Sequence, residues 1–275
     1  MESKKFSVLM SVYFNESPDF LRQAFNSIWR EQLLKPNQIV LVKDGPLTAE
    51  LNEEIEKLKL ELGYILCVSE LKENVGLGKA LSIGLDECKF DLVARMDTDD
   101  VSCPTRFQKQ IELLTENPDL GLIGSNVGEF EDDFTVIRTE KKVPESHESI
   151  VKFSKTRNPF NHPSIMYKKS QVESVGGYMD CPGMEDYYLW IRMLAGNVQS
   201  YNIQENLVFM RAGVSMLSRR KGLWYAKQEV RFQLILLKMN YVSLFRAVCN
   251  ITQRAPLRLL PSQLLKVVYR LLRRK

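Results

Sequence analysis

The stretch Leu92-Val93-Ala94-Arg95-Met96-Asp97-Thr98-Asp99-Asp100 constrains the chain more than any other. A mostly apolar run leads into three carboxylates within four positions, the pattern of a buried strand that ends by placing acids at a sheet edge. In an open α/β sheet, ligands bind beyond the carboxyl ends of the strands. Carboxylates this close repel one another, so the cluster is costly unless a cation such as Mg2+ or Mn2+ sits among them. Asp-x-Asp by itself also suits a solvated turn. The apolar run in front and Pro104-Thr105-Arg106-Phe107 behind, with proline early in a helix, favour strand, metal turn and helix.

The same plan repeats along the chain. Lys5 to Tyr13 is a compact apolar segment that predicts a first, central strand, followed by the polar turn Asn15-Glu16-Ser17-Pro18. Phe20, Leu21, Ala24, Phe25, Ile28 and Trp29 recur at helical spacing between Asp19 and Gln32. Gln38 to Lys43 predicts a second strand that ends on Asp44-Gly45, a second acid at the ligand edge. Thr48 caps a helix that Gly63 stops near Leu62, Tyr64 to Ser69 predicts a third strand, and Asn74-Val75-Gly76-Leu77-Gly78 turns into another helix. Strands alternating with helices at this spacing imply βαβ units and a largely parallel sheet. Pro104 to Asn117 reads as a helix, and Leu120 to Ser125 as a short, glycine-bearing fifth strand. Val127 to Val143 is mixed and charged, in keeping with an edge hairpin. A proline-bracketed loop, Asn158 to Ser164, precedes a helix over Met184 to Leu194 whose first turn carries Glu185 and Asp186, favoured there by the helix dipole. Leu207 to Arg211 predicts a short strand, and helical pattern resumes near Leu223, breaks at Pro256 and Pro261, and returns over Gln263 to Leu272.

Composition narrows the function classes. No glycine precedes Gly45 and no G-x-x-x-x-G-K-[ST] occurs, which argues against a nicotinamide-binding Rossmann fold and a P-loop NTPase. No apolar run reaches the length of a membrane span or a signal peptide, so a soluble, unexported body is expected. Cys67, Cys88, Cys103, Cys181 and Cys249 are scattered without a C-x-x-C pair, which predicts reduced thiols in a cytoplasm rather than a zinc site. The net charge of +4 is unevenly placed, with no acidic residue after Glu229 and a run of arginines and lysines from Arg231 to Lys275. Such a tail suits an anionic surface. Leu264, Leu265, Val267, Val268, Leu271 and Leu272 interleave with Lys266, Arg270, Arg273 and Arg274, the composition of a helix in a membrane interface, with packing on the core or a partner as the alternative. Nucleic acid is not expected, because no recognised nucleic-acid motif accompanies the charge. Arg211, Arg219 and Arg220 suit either a diphosphate or a solvated basic loop. His147 is expected to be exposed.

Taken in order, Ser11-Val12-Tyr13, Lys43-Asp44-Gly45, Asn74-x-Gly76-x-x-x-Ala80, Asp97-x-Asp99-Asp100 with Pro104-x-Arg106-Phe107, His162-Pro163-Ser164 and Glu185-Asp186-Tyr187-x-Leu189-Trp190 resemble a family 2 glycosyltransferase of the GT-A fold, of the type that builds bacterial surface polysaccharides such as O-antigen and capsule. One departure is that Ser11 stands where the family commonly has proline, and Phe14 follows Tyr13 where it commonly has asparagine. The resemblance implies an α/β fold, a GT-A type Rossmann-like mostly parallel sheet flanked by helices, over residues 1–215. Its nucleotide-binding half would be about 1–100 and its acceptor-binding half about 101–215, with a basic amphipathic helical C-terminal region over 216–275.

Residue by residue, the resemblance implies that Val12, Tyr13 and Asp44 hold the uracil of a UDP-sugar, and that Gly76 and Lys79 lie near the ribose and diphosphate. Asp97 would lie near ribose and sugar, with Asp99 as ligand to a divalent metal, Mn2+ or Mg2+. Asp186 matches the base that takes the acceptor hydroxyl's proton, and His162, Glu185 and Trp190 would line the substrate or acceptor site. The implied reaction is an inverting, metal-dependent transfer of a hexose or N-acetylhexosamine to a lipid-linked, polyprenyl diphosphate oligosaccharide, giving a β-linkage. It would run in the cytoplasm, peripheral on the inner face of the cytoplasmic membrane, with homo-oligomerisation left open. The alternatives are a sugar-nucleotide pyrophosphorylase, which wants a glycine-rich basic loop after the first strand, and a non-catalytic nucleotide- or carbohydrate-binding module associated with a membrane.

Overall fold

The computed structural model describes residues 4–211 and 221–259. The predicted alternation is present: β1 (Phe6–Val12), α1 (Pro18–Phe25), β2 (Gln38–Lys43), α2 (Ala49–Leu62), β3 (Leu66–Glu70), α3 (Leu77–Glu87) and β4 (Leu92–Arg95) follow one another. α1 runs on through a π-helical turn, Asn26–Arg30. The Thr48 hydroxyl accepts from the Leu51 amide at 3.2 Å, and Gly63 takes a positive φ of 54°, so the start and stop signals of α2 act as the sequence suggests. β1 pairs in parallel with both β2 and β4, and β2 with β3, so the ends of these strands open on one edge.

Alternate residues of the strands serve opposite faces. Phe6, Val8, Met10 and Val12 of β1, with Ile39 and Leu41 of β2, pack with α1, α2 and α4 (Arg106–Glu116). Leu9, Val40 and Val42 face α3 and α7 (Glu185–Ala195) on the other side. Both faces are therefore covered, as parallel strands require.

Beyond β4 the sheet continues through antiparallel pairs. The complete order is β3-β2-β1-β4-β8-β6-β9-β5, with β7 (Thr139–Lys141) on β6, and β8 is Met166–Lys168. β5 (Val101–Ser102) is two residues long and the sequence pattern gave no sign of it. The predicted short fifth strand is instead β6 (Leu120–Phe130), eleven residues and almost wholly buried. Its Gly121, Gly124 and Gly128, with Asn126 and Glu129, resemble turn chemistry in sequence, yet the glycines admit neighbouring side chains such as Val198 and Phe160. Asn126 Oδ1 is satisfied by the Val143 amide at 2.9 Å. Only the far part of the expected Val127–Val143 hairpin is an edge, where β7 returns on β6. β9 (Gln199–Arg211) is likewise longer than predicted, because it pairs with β6 along its length through three register irregularities.

Two short helices, α5 (His147–Ser154) and α6 (Lys169–Ser174), precede α7. His147 is half-buried rather than exposed: at the start of α5 its Nδ1 lies 3.0 Å from Ser200 Oγ. After residue 220 come α8 (Leu223–Lys238) and α9 (Leu244–Leu259), packed on each other. Pro256 does not break α9 as predicted; it sits in the last turn, where only one backbone bond is forgone. This pair closes a third apolar cluster in which Phe232, Leu236, Val242 and Ala247 meet Cys181, Met184, Tyr187 and Ile191. All five cysteines are free thiols. Among the described residues no helix is long and apolar enough to cross a membrane. The predicted interfacial helix over Gln263 to Leu272, with Arg219 and Arg220, lies outside the described residues.

Candidate active site

The acidic turn after β4 stands on a buried base. Arg95 is fully buried and pairs with Asp97. The fully buried Arg106 donates from Nη2 to the Arg95 carbonyl at 2.6 Å and the Ile165 carbonyl at 3.3 Å, fastening the end of β4 to the segment leading into β8. That accounts for an arginine two residues after Pro104: it is a clamp beneath the turn. Burial, then the neighbouring Arg95 charge, lowers the Arg106 pKa to about 9. Asp100, also buried, accepts from the Arg211 amide at 2.9 Å, and Arg211 Nε donates to the Asp99 carbonyl at 3.2 Å. The Arg211 guanidinium lies 3.7 Å from the Phe20 ring centre and 4.6 Å from that of Phe130. In the described structure this side chain is therefore spent on holding the turn.

Asp99 is strongly perturbed. Burial, with the charges of Asp97 and Glu16, raises its pKa to about 7, and Arg211 only partly opposes this. Asp100 is raised as well, by burial and by the charges of Asp99 and Asp97. Glu16 joins this cluster from the loop after β1, where its Oε2 accepts from the Thr98 hydroxyl at 2.8 Å. Sequence reasoning passed over Glu16. The signal was its place at the end of a central parallel strand, the same edge as the aspartates.

Asp44, only 4% exposed, ends β2. Its Oδ1 accepts from the Val75 amide at 2.7 Å, and Asn74 Nδ2 donates to its carbonyl at 3.2 Å. Gly45 has φ of 88°, and a Cβ there would lie 2.7 Å from the Asn74 nitrogen, so only glycine lets the two loops touch. Tyr13, half-exposed beside Phe14, rises from the end of β1 next to this junction. Val12 is fully buried in the core and contributes its carbonyl, which accepts from the Asp44 amide at 2.8 Å. Gly76, at φ 86°, starts α3, and Lys79 is exposed in its first turn.

Across the cleft, α7 begins with Glu185 and Asp186. A Cβ on Gly78 of α3 would come within 2.8 Å of Glu185 Cγ, so the two helix starts meet. Glu185 Oε1 accepts from the Gly183 amide at 2.9 Å, which ties that carboxylate to its own loop. Asp186 Oδ2 accepts from Asn158 Nδ2 at 2.7 Å. The Asn158 amide is oriented in turn, since its Oδ1 accepts from the Phe160 amide at 3.2 Å. His162 Nε2 lies 3.4 Å from the Tyr178 hydroxyl, over the edge of Trp190. Trp190 itself is fully buried among Phe160, His162 and Tyr167, within the core on that face of the sheet. Burial raises the Tyr178 pKa; Arg95 opposes the rise, whereas Asp186 and Asp97 add to it. Tyr178 thus lies within reach of the charges of Asp97 at the strand ends and of Asp186 at the start of α7. Asn158 and Tyr178 were not singled out by sequence reasoning, because each acts through a neighbour distant in the chain, and Arg95 was not because its full burial beside Asp97 is not visible in the sequence.

Comparison with known proteins agrees with this geometry. The sequence profile described as glycosyl transferase family 2 matches residues 7–173. The UDP-Gal:alpha-D-GlcNAc-diphosphoundecaprenol beta-1,3-galactosyltransferase of Escherichia coli is 39% identical over 269 residues, 98% of this chain and 96% of that protein. The amylovoran biosynthesis glycosyltransferase AmsE of Erwinia amylovora is 36% identical over 264 residues, 96% of this chain and 97% of its own. Among solved structures, S. aureus TarS 1-349 in complex with UDP-GlcNAc superposes with a TM-score of 0.64 at 17% identity, over 85% of this chain and 66% of that one, so this chain spans just under two thirds of its length. The mannosyltransferase PcManGT of Pyrobaculum calidifontis, in complex with GDP-Man and Mn2+, gives 0.64 at 14% identity, over 98% of this chain and 80% of that one. These structural likenesses establish a shared GT-A fold. From the profile match and the full-length relatives together, the chain belongs to glycosyl transferase family 2 and is a glycosyltransferase.

Proposed function

We propose that this enzyme moves a hexose or N-acetylhexosamine from a UDP-sugar to a lipid-linked oligosaccharide in bacterial surface polysaccharide assembly, with inversion at the anomeric carbon and with a divalent metal. The observation that carries this reading is the cluster of Asp97, Asp99 and Glu16 beyond the strand ends together with Asp186 at the start of α7, a helix start that meets that of α3; the charges of Asp97 and Asp186 both act on Tyr178. Asp44 Oδ1 is taken by the Val75 amide, which leaves Oδ2 as the acceptor for the uracil imide, with Tyr13 as a flat wall. UDP as the nucleotide, and a polyprenyl diphosphate acceptor, are supported by the E. coli relative, a UDP-Gal:alpha-D-GlcNAc-diphosphoundecaprenol beta-1,3-galactosyltransferase, which makes UDP-galactose the first donor to test.

The donor set fits a divalent ion. Asp97, Asp99 and Glu16 repel one another strongly enough to raise Asp99, and a cation among them would remove that repulsion. Among the described residues no three His, Cys, Asp or Glu side chains converge to hold a metal unaided, so ligand oxygens would complete its coordination. Asp99 would hold the ion with Asp97 beside it, and Mn2+ or Mg2+ there supplies neutralisation of the leaving diphosphate's charge. Asp186 takes the proton of the acceptor hydroxyl as that oxygen bonds to the anomeric carbon and the bond to UDP breaks. One displacement from the opposite face inverts the anomer, so an α-linked donor gives a β-linkage. Asn158 holds one Asp186 oxygen and leaves the other for the proton.

The basic C-terminus supports peripheral attachment to the inner membrane surface. The test is UDP release by purified protein from UDP-galactose and UDP-N-acetylhexosamines with a lipid-linked acceptor. Release that depends on acceptor and stops in chelator supports the reading; release unaffected by chelator removes the metal from it.

A further inference from the structure

Between α8 and α9 lies an open cavity of about 610 Å3. Its apolar wall is Leu223, Val230 and Leu234 from α8 and Ile251, Ala255 and Leu259 from α9. Leu223 is 70% exposed, Leu234 55% and Leu259 53%, a concentration of solvent-facing leucine that a surface helix pair does not need for folding. Among the described residues, the charged side chains of the lining are Lys227 and Arg231, both cationic. Glu229, the last acid in the sequence, is fully buried on the opposite side of α8 and already paired with Arg254 and Arg258 at 3.1 and 3.5 Å.

The helix that walls the groove also touches the loop that leads into α7. At the Leu223 end, Trp224 and Tyr225 close on the loop before α7: a Cβ on Gly183 would lie 3.1 Å from Tyr225 Cε1 and 3.6 Å from Trp224 Cζ3. Gly183 is the residue whose amide holds Glu185, next to Asp186. Arg231 is close enough for its charge to act on the Cys181 thiol in that same loop. From Leu223 to Leu234 the groove follows α8 for about 16 Å at 1.5 Å per residue.

We infer that this groove takes the isoprenoid chain of a polyprenyl diphosphate-linked acceptor, with Lys227 and Arg231 beside its diphosphate and the sugar end directed to Asp186. The inference rests on the lipid-linked acceptor proposed above. A long, open apolar groove whose described lining has cations and no carboxylate matches an isoprenoid diphosphate in length and in charge. The Leu223 end of α8 adjoins the Gly183 loop that leads to Asp186.

The test is calorimetric binding of farnesyl diphosphate and of methyl diphosphate to the full chain. Farnesyl diphosphate should bind at least about tenfold more tightly, since even two buried methylenes supply that factor. Leu234→Asp, on the exposed wall, and Ala255→Trp, which fills the groove, should each abolish the difference while leaving UDP binding unchanged. Equal affinities in the parent protein, or a preference that survives both variants, overturns the inference. A preference lost on deleting residues 260–275 but kept in both groove variants also overturns it, by assigning lipid recognition to that segment. Loss of sedimentation with phosphatidylglycerol vesicles in both variants, without change in farnesyl preference, makes the groove a bilayer contact and overturns it as well. Farnesyl selectivity with no transfer to any lipid-linked acceptor would count against the proposed reaction alone.

Discussion

Asp99 is held in the folded chain at a pKa of about 7, well above the usual carboxylate range, because it is buried against Asp97 and Glu16. A folded-state value above the unfolded one means that the native state binds this proton more tightly, so its contribution is complete below about pH 4 and is lost as pH rises through about 7. In chelator, urea unfolding between pH 5 and pH 8 should therefore show stability falling with pH, and Asp99→Asn should flatten that fall. Added Mn2+ should restore stability most at the alkaline end. Across the cleft, Asp186→Asn keeps the size of the side chain but not its ability to take a proton, so turnover should fall by about 10²-fold or more while the KM for donor is unchanged. Asn158→Ala should act on the same step more weakly. It frees the carboxylate to rotate, and kcat should fall by about tenfold with donor KM again unmoved, an order set by lost orientation rather than lost chemistry. A donor KM that rises with either variant would place these residues in nucleotide binding instead.

Elements were legible in the sequence where local chemistry decides them. Thr48 and Gly63 bound α2, and the run from Leu92 to Arg95 with its following acids is the strand and turn that it resembles. The long β6 was not legible, because its glycines and buried asparagine are compensated by partners far along the chain, Asn202 and Val143 among them. The site divides in the same way. Asp44, Asp97, Asp99 and Asp186 stand out as acids after strands or at a helix start, whereas Asn158 and Tyr178 matter through residues far from them in sequence. Gly84 shows how packing overrides local preference. In the middle of α3, alanine should gain up to about 1 kcal/mol of helix propensity. Yet its Cβ would lie 2.5 Å from Val42 Cγ2 and 2.6 Å from Leu9 Cδ1, both fully buried strand side chains. Overpacking of this kind costs about 1–3 kcal/mol, so Gly84→Ala should lower the denaturation midpoint despite the better helix former. An unchanged or higher midpoint would mean that α3 can lift from the sheet without penalty.

At the scale of the whole molecule, the chain has one broad sheet with a core on each face and a third, smaller cluster under α8 and α9. α7 belongs to two of them: Leu189, Trp190 and Met193 face the sheet, while Tyr187 and Ile191 face the helix pair. Phe232 packs on Tyr187 at 4.7 Å between ring centres and is fully buried, so Phe232→Ala should cost about 3–5 kcal/mol, felt first in the outer cluster. Hydrogen exchange should show α8 and α9 losing protection before the strands do, and uniform loss across the chain would contradict a separate outer unit. The shared helix also fixes the order in which the molecule fails on heating. When the outer unit opens, α7 keeps its grip on the sheet but loses the contacts that seat the first turn, and Asp186 stands in that turn. Transfer activity should consequently disappear at a lower temperature than the main calorimetric transition, with nucleotide still bound to the half of the molecule that remains folded.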